Sequence, residues 1–422
     1  MPDVFLTADI ILPVKRDKEN AEKFSVIACD QFTSEKKFWV DCENIAKDAV
    51  SSLNMILPEA YLDESEDRIP KINSAMDEYF ENDSEIFYNS MIYVRRTQPD
   101  GRVRCGIVGK IDLEYYEYSE DSRSCIRPTE KTVVERIPPR VKIRENAPLE
   151  LPHIMLLIDD VRRSVIEPLE DEYQTFEKAY DFDLMMGAGH IEGYFMDEKN
   201  IRRIYALFSR YSTSVYTQQY YGLENIEPLL FAVGDGNHSL ATAKAIYKNA
   251  KELYGSKAKR MPCRYALAEV VNLYSDALDF EPIYRTVKCP SAEVLAELVA
   301  YIKKAAAGSD GKEKAFDVEL VYGDCDETVN VKFPTKSLPV GFVQEILDDF
   351  VSVHKECEID YIHGEDSLRS LSVSNTLGIL FEGMSKNDLF RGVICDGVLP
   401  RKTFSMGHAL DKRHYLEARK IK

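Results

Sequence analysis

The segment Leu229-Leu230-Phe231-Ala232-Val233-Gly234-Asp235-Gly236-Asn237-His238 decides how the middle of this chain is read. The continuous apolar run after Pro228 describes a buried strand. Gly234 and Gly236 then let the backbone turn sharply, because glycine adopts conformations closed to other residues. From His238 onward, Leu240, Ala243, Ile246 and Tyr247 recur at three and four residues. That is the spacing of an amphipathic helix. The order is strand, glycine turn, helix.

This order has a chemical consequence. The first amides of a helix have no intrahelical acceptor, and the helix dipole is positive at that end. A phosphate placed there is held by geometry that already exists. Gly236, Asn237, His238 and Ser239 are therefore candidate phosphate-binding residues. Asp235 is a candidate to hold a metal or accept a proton, and His238 a candidate catalytic donor. The plainer alternative is a capped turn, in which Asp235 or Asn237 only satisfies the helix start.

Working outward, Ser90 to Arg96 and Arg102 to Leu113 flank Pro99-Asp100-Gly101, which predicts a hairpin. His153 to Ile158 predicts a buried strand. Asp197 can cap a helix whose inner face carries Ile201, Ile204, Leu207 and Phe208. Val294, Leu295, Leu298, Val299 and Ile302 mark another helix, and Ala307 to Gly311 is the best linker candidate. Phe316 to Tyr322 and Thr328 to Phe333 alternate around a Gly-Asp turn, which predicts a second hairpin. Phe342 to Val353 again has helical spacing. Mixed sheets with interspersed helices, lacking a regular βαβ rhythm, predict an α+β fold.

At 422 residues the chain exceeds what one hydrophobic core serves, so several lobes are expected. The boundaries drawn from sequence are an N-terminal α+β lobe with a basic arm over 1–150, a core lobe holding the glycine turn over 151–307, and a C-terminal α+β lobe over 312–422. With 54 Lys and Arg against 72 Asp and Glu, the formal charge is -18. Such a balance argues against general nucleic-acid binding. It leaves room for a local basic pocket around an anionic substrate. Neither a signal peptide nor a membrane anchor is read, so no membrane partner and a cytoplasmic location are expected. The nine scattered cysteines form no CxxC pair, which suits free thiols in a reducing compartment.

Against this acidic background the run from Arg127 to Arg144 stands out. Arg136, Arg140, Lys142 and Arg144 surround or follow Pro138-Pro139. Several cations converging on one site would suit a polyanionic phosphate donor. The alternative is a solvated, strand-like arm. Glu130, at the start of the run, is the candidate general base toward an alcohol. A further group comprises His363-Gly364-Glu365 and Pro400-Arg401-Lys402-Thr403-Phe404, where Lys402 could reach a phosphate. His190 follows Gly187-Ala188-Gly189, whose glycines permit close backbone approach to a ligand. His408 and His414 sit in no recognisable pattern.

Several motifs in order carry a family resemblance. Ser25-Val26-Ile27-Ala28-Cys29-Asp30-Gln31-Phe32-Thr33-Ser34 with Trp39, and then Leu53 to Glu59, resemble the opening of the DUF1015 family. Gly234 to Ala243, Tyr361-Ile362-His363 and Leu399 to Phe404 fall where that family has its later motifs. The central motif is similar to the DGxHR loop of the ParB/sulfiredoxin-like superfamily, which includes nucleotide-hydrolysing partition proteins, sulfiredoxins and kinases of free serine. The resemblance implies a ParB/sulfiredoxin-like core and phosphoryl transfer to a small alcohol, with free L-serine the leading acceptor. The implied donor is ATP, ADP or pyrophosphate with Mg²⁺. Asp235, Gly236 and His238 match the motif, and Ser239 stands where it has arginine. That exchange removes a guanidinium from a phosphate site, and it makes a non-catalytic nucleotide- or phosphate-binding regulator the rival expectation. Glu130 falls where relatives have a glutamate after a basic residue. A homo-oligomer is compatible with all of this.

Overall fold

The computed structural model describes residues 4–323 and 325–422, Arg136 for its backbone alone. The chain is α+β, with mixed sheets and interspersed helices. It forms two compact units. The first comprises Met1–Pro128, Thr132–Leu278 and Gly407–Lys422, and the second Thr129–Lys131 and Asp279–Met406.

The first unit is built on a nine-stranded sheet. Its strands are β1 (Phe5–Leu6), β2 (Ile92–Thr97), β3 (Val103–Asp112), β4 (Ile126–Pro128), β5 (Met155–Ile158), β6 (Glu177–Asp183), β7 (His190–Phe195), β8 (Phe231–Asp235) and β9 (Tyr265–Asn272). They lie in the order β4-β8-β5-β9-β3-β2-β7-β6, with β1 paired to β3. The expected hairpin is present: β2 and β3 run antiparallel from Ile92↔Val108 to Thr97↔Val103. The strand expected at His153 to Ile158 is β5. β8 is parallel to β4 and antiparallel to β5.

Side chains alternate between the sheet's faces with the period of two that a strand imposes. Ile92 and Val94 join a core with Phe24, Trp39 and Leu267. Tyr93 points into another, with Phe5, Phe208, Phe231 and Leu240. In the second core the Phe208 ring meets the Phe231 ring edge-on at 5.1 Å. Each such buried aromatic contributes roughly 1.5–3 kcal/mol. Three helices matter below: α1 (Ile137–Arg144), α2 (Glu198–Tyr211) and α3 (Asn237–Tyr254). Asp197 caps α2 as expected, its carboxylate accepting the Asn200 amide at 2.8 Å. Ile204 and Phe208 lie on the buried face of α2.

The last segment of the chain is woven into this unit. Tyr415 N donates to Val26 O at 2.7 Å, and Ala28 N to Arg413 O at 3.0 Å. Arg413 anchors it. Its buried guanidinium meets Glu269 Oε2 at 2.9 Å, Glu417 Oε2 at 2.7 Å and Pro152 O at 2.6 Å. A charge so deep is tolerated only when paired and hydrogen-bonded on all sides.

The second unit holds β10 (Phe280–Lys288), β11 (Phe316–Tyr322), β12 (Cys325–Val331), β13 (Glu358–His363), β14 (Thr376–Phe381) and β15 (Phe404–Met406). Their order is β12-β11-β14-β10-β13, with β15 paired to β10. Helices α4 (Ala292–Gly308) and α5 (Pro339–Val353) accompany the sheet, as their spacing predicts. The second hairpin pairs Phe316↔Val331 through Tyr322↔Cys325, so its return strand starts earlier than Thr328.

Sequence reading expects three consecutive lobes, whereas the compact units interleave along the chain. The proposed linker lies inside the second unit, where α4 continues to Gly308. Gly311 N donates to Phe333 O at 2.8 Å, and a Cβ on Gly311 would stand 2.0 Å from Pro334 O. Glycine serves close backbone approach there rather than flexibility. In sequence the two uses look alike.

Candidate functional site

The turn after β8 depends on both of its glycines. A Cβ at Gly234 would meet the Leu157 side chain at 2.8 Å. Gly236 has φ +77°, a left-handed conformation that disfavours any side chain. A Cβ there would also stand 3.0 Å from Ile154 Cα and 3.4 Å from the His153 ring. The backbone of the turn is thereby pressed against the start of β5.

Helix α3 opens directly from Gly236. Its first intrahelical bond joins Leu240 N to Gly236 O at 2.9 Å, so the amides of Asn237, His238 and Ser239 precede it. Among the described residues no side chain at the capping position closes this helix start. The Asp235 carboxylate accepts the Gly236 amide at 2.9 Å instead. Asn237, His238 and Ser239 are each half-buried, and Asn237 Oδ1 has no hydrogen-bond partner among the described residues.

Tertiary structure adds residues to this turn that local sequence patterns did not single out. Lys412 Nζ lies 3.3 Å from Asp235 Oδ2. His153, whose ring borders Gly236, places Nε2 3.5 Å from Asp30 Oδ2 and Nδ1 2.7 Å from the Tyr415 hydroxyl. Burial alone would raise the Asp30 carboxyl, but the His153 imidazole, with Gln31 and Lys412, holds it well below its ordinary value. Burial likewise opposes a charged His153, yet Asp30 and the more distant Asp235 raise its pKa. Asp30 lies in the quoted N-terminal motif, the one signal that pointed toward it. His153 was read only as the start of a strand, and Lys412 and Tyr415 lie outside every motif.

The basic run takes a different form from the one expected. It is helix α1, not a strand-like arm, because Pro138 and Pro139 fall in the first turn, where proline is tolerated. Its cations face separate carboxylates: Arg140 pairs with Glu59, Lys142 with Glu66 and Arg144 with Glu150. They do not converge on one anion site. Arg140 nevertheless lies close enough to Cys29 for its charge to favour the thiolate, although burial pushes that thiol up to about 12. The Arg136 side chain lies outside the described residues. Arg127 is buried and donates to the carbonyls of Ser124 at 2.8 Å and Glu227 at 3.2 Å.

Glu130 and Lys402 belong to the second unit. Glu130 accepts the Lys402 amide at 3.1 Å and the Thr403 amide at 3.2 Å. Burial raises its pKa and the two amides only partly oppose this. Lys402 has φ +58° and an exposed side chain. The turn is held from beneath by Arg285, fully buried, which donates to Lys402 O at 3.0 Å and to Gln344 Oε1 at 2.8 Å. His363 ends β13 and is exposed. His190 places Nε2 3.0 Å from Asp181 Oδ1 and Nδ1 2.6 Å from Asp183 Oδ1 on the first unit's sheet.

Among the described residues no group of three or more His, Cys, Asp or Glu side chains is gathered to hold a metal. Asp235 already faces the Lys412 ammonium, and Asp30 the His153 ring. These residues do not fit a resident metal centre. A Mg²⁺ ion would have to arrive on the phosphates of a substrate, the usual way this ion enters phosphoryl-transfer sites. No described helix is long and apolar enough to cross a membrane.

A two-unit α+β protein with a glycine turn opening a helix is thus the class that fold and site define. The family model described as a protein of unknown function, DUF1015, matches residues 11–356, and the chain belongs to that family. No curated protein matches it. Among solved structures, it is similar to a free serine kinase in complex with AMP at 12% identity and TM-score 0.36, over 74% of this chain and 91% of that one. A mutant free serine kinase in complex with ADP matches at 12% identity and TM-score 0.37, over 76% and 93%. SbnI with a C-terminal truncation, from Staphylococcus aureus, matches at 10% identity and TM-score 0.35, over 71% and 82%.

Proposed function

We propose that the protein is a phosphotransferase that moves a phosphoryl group from ATP, ADP or pyrophosphate to a small alcohol, with free L-serine the acceptor implied by the sequence resemblance. The observation that carries this reading is the start of α3, which no side chain at its capping position closes among the described residues and which is bordered by Lys412. Oriented amides and one adjacent cation suit the terminal phosphates of a donor. In this reading Lys412 supplies the charge that the motif lacks at Ser239, exchanging Asp235 for a phosphate oxygen.

The acceptor hydroxyl attacks the terminal phosphorus as the bond to the leaving phosphate oxygen breaks, and its proton passes to a carboxylate. The sequence resemblance implies Glu130 for that role. A raised pKa makes a stronger base, whereas the depressed Asp30 is committed to His153. Mg²⁺ enters with the donor phosphates. Such chemistry asks mainly for positioning and electrostatic stabilisation. The test is incubation of purified protein with L-serine, Mg²⁺ and each donor in turn, with O-phosphoserine read by mass spectrometry. If none of the donors yields product, the serine assignment fails.

A second reading, a regulator that binds nucleotide or phosphate without transfer, is favoured by Ser239 and by the existing Lys412–Asp235 pair. It predicts ligand stabilisation of roughly 2.7 kcal/mol at a hundredfold excess over the dissociation constant, with no product.

A further inference from the structure

The nine cysteines play no part in the proposed site, but two of them meet in the second unit. Strands β10 and β13 run antiparallel, their last register pair being Lys288↔Glu358. One position further on, Cys289 and Cys357 face each other with sulfurs 3.9 Å apart. Cys289 N donates to Asn375 O at 2.9 Å, and Cys357 N to His354 O at 3.0 Å. Neither amide points across the pair. In antiparallel sheets that is the narrow pairing, with Cα atoms about 4.5 Å apart and side chains at their closest. This spacing falls within the roughly 4.4–6.8 Å that a disulfide spans, so rotation about the side-chain bonds brings the sulfurs together without moving the backbone.

We propose that Cys289 and Cys357 form a reversible cross-strand disulfide that staples β13 to β10. β13 is an edge strand of its sheet, paired to a neighbouring strand on one side only, and edge strands open more readily than central ones. Both thiols are buried at 4% exposure, and burial pushes the Cys289 thiol up to about 12, so the closed strand protects them. When β13 opens, one thiolate attacks a small-molecule disulfide such as oxidised glutathione and expels one thiolate. The second cysteine, as thiolate, then attacks the protein sulfur of the mixed disulfide and releases the other small thiol. Two protein thiols are oxidised to one disulfide, and the reagent is reduced to two thiols.

The bond would also reach the turn that feeds Glu130. Tyr361 on β13 accepts a hydrogen bond from Arg401 Nε at 2.9 Å, and Arg401 precedes the Lys402 and Thr403 amides bound by Glu130. Stapling β13 stiffens the support of that turn.

The test equilibrates the full chain with graded ratios of oxidised to reduced glutathione in sub-denaturing urea, then alkylates free thiols and maps peptides by mass spectrometry. The expected product links Cys289 to Cys357, is reversed by dithiothreitol, and slows amide exchange along β13. Cys289→Ser and Cys357→Ser each abolish the linked peptide and the slowing. Serine at the exposed Cys325 and Cys395 leaves both intact. Persistence of Cys289 and Cys357 as alkylatable thiols, at ratios that oxidise Cys325 and Cys395, would overturn the proposal. So would linkage of either to another cysteine.

Discussion

The ammonium of Lys412 stands 3.3 Å from the carboxylate of Asp235, bringing the chain's last segment to the turn that opens α3. Both side chains are about six-sevenths buried, so the charge is available beside the helix start without being dissipated in bulk water. In a phosphate complex this lysine has a second oxygen to choose. Lys412→Met should raise the KM for the phosphoryl donor roughly 10–100-fold, equivalent to about 1.4–2.7 kcal/mol, and should also lower stability, because the largely buried Asp235 loses its paired cation. Steady-state kinetics and a urea melt measure the two. An unchanged donor KM would remove Lys412 from the site.

Glu130 is the base in the proposed reaction, and its environment and that of Asp30 push the two carboxyls in opposite directions. Glu130→Gln keeps the size of the side chain and one acceptor for the Lys402 and Thr403 amides. It should lower kcat by about 10²–10⁴ with little change in donor KM. Asp30→Asn should act mainly on stability. The reverse pattern would transfer the role to Asp30.

His153 makes stability depend on pH. Burial disfavours its charged form, but Asp30 and Asp235 raise its folded pKa above the ordinary value near 6.5. Its contribution is therefore complete below about pH 6.5 and is lost as pH rises through the folded value. His153→Gln should cost about 1–2 kcal/mol at pH 6, discounted because the Asp30 side chain is 30% exposed, and less at pH 9. Urea unfolding at the two pH values decides it, since an equal cost at both would exclude a charged His153.

Gly236 tests the turn itself. Alanine there must adopt φ +77° and crowd Ile154 Cα. Gly236→Ala should cost about 1–3 kcal/mol and abolish the thermal shift given by ADP or pyrophosphate. Gly222→Ala is the control, since that glycine is also left-handed, at φ +64°, but meets no atom within 4 Å. It should lose stability while keeping the ligand shift.

The local elements were legible because their cause is local. The apolar run before Gly234, the three-and-four spacing after His238, the Pro99-Asp100-Gly101 turn and the Asp197 cap each act within a few residues, and each produced its element. The α+β class follows from their order. The basic run misled for the same reason. Charge spacing in sequence does not say which carboxylate each cation will meet, and α1 sends Arg140, Lys142 and Arg144 to Glu59, Glu66 and Glu150.

By itself, then, the sequence determined the strand, the glycine turn and the helix that follows it. Folding alone decided what surrounds them. Asp30, His153, Lys412 and Tyr415 come from remote stretches with no common spacing. They meet because the buried Arg413 must find Glu269, Glu417 and the Pro152 carbonyl, and satisfying that one charge draws the chain's end against its beginning.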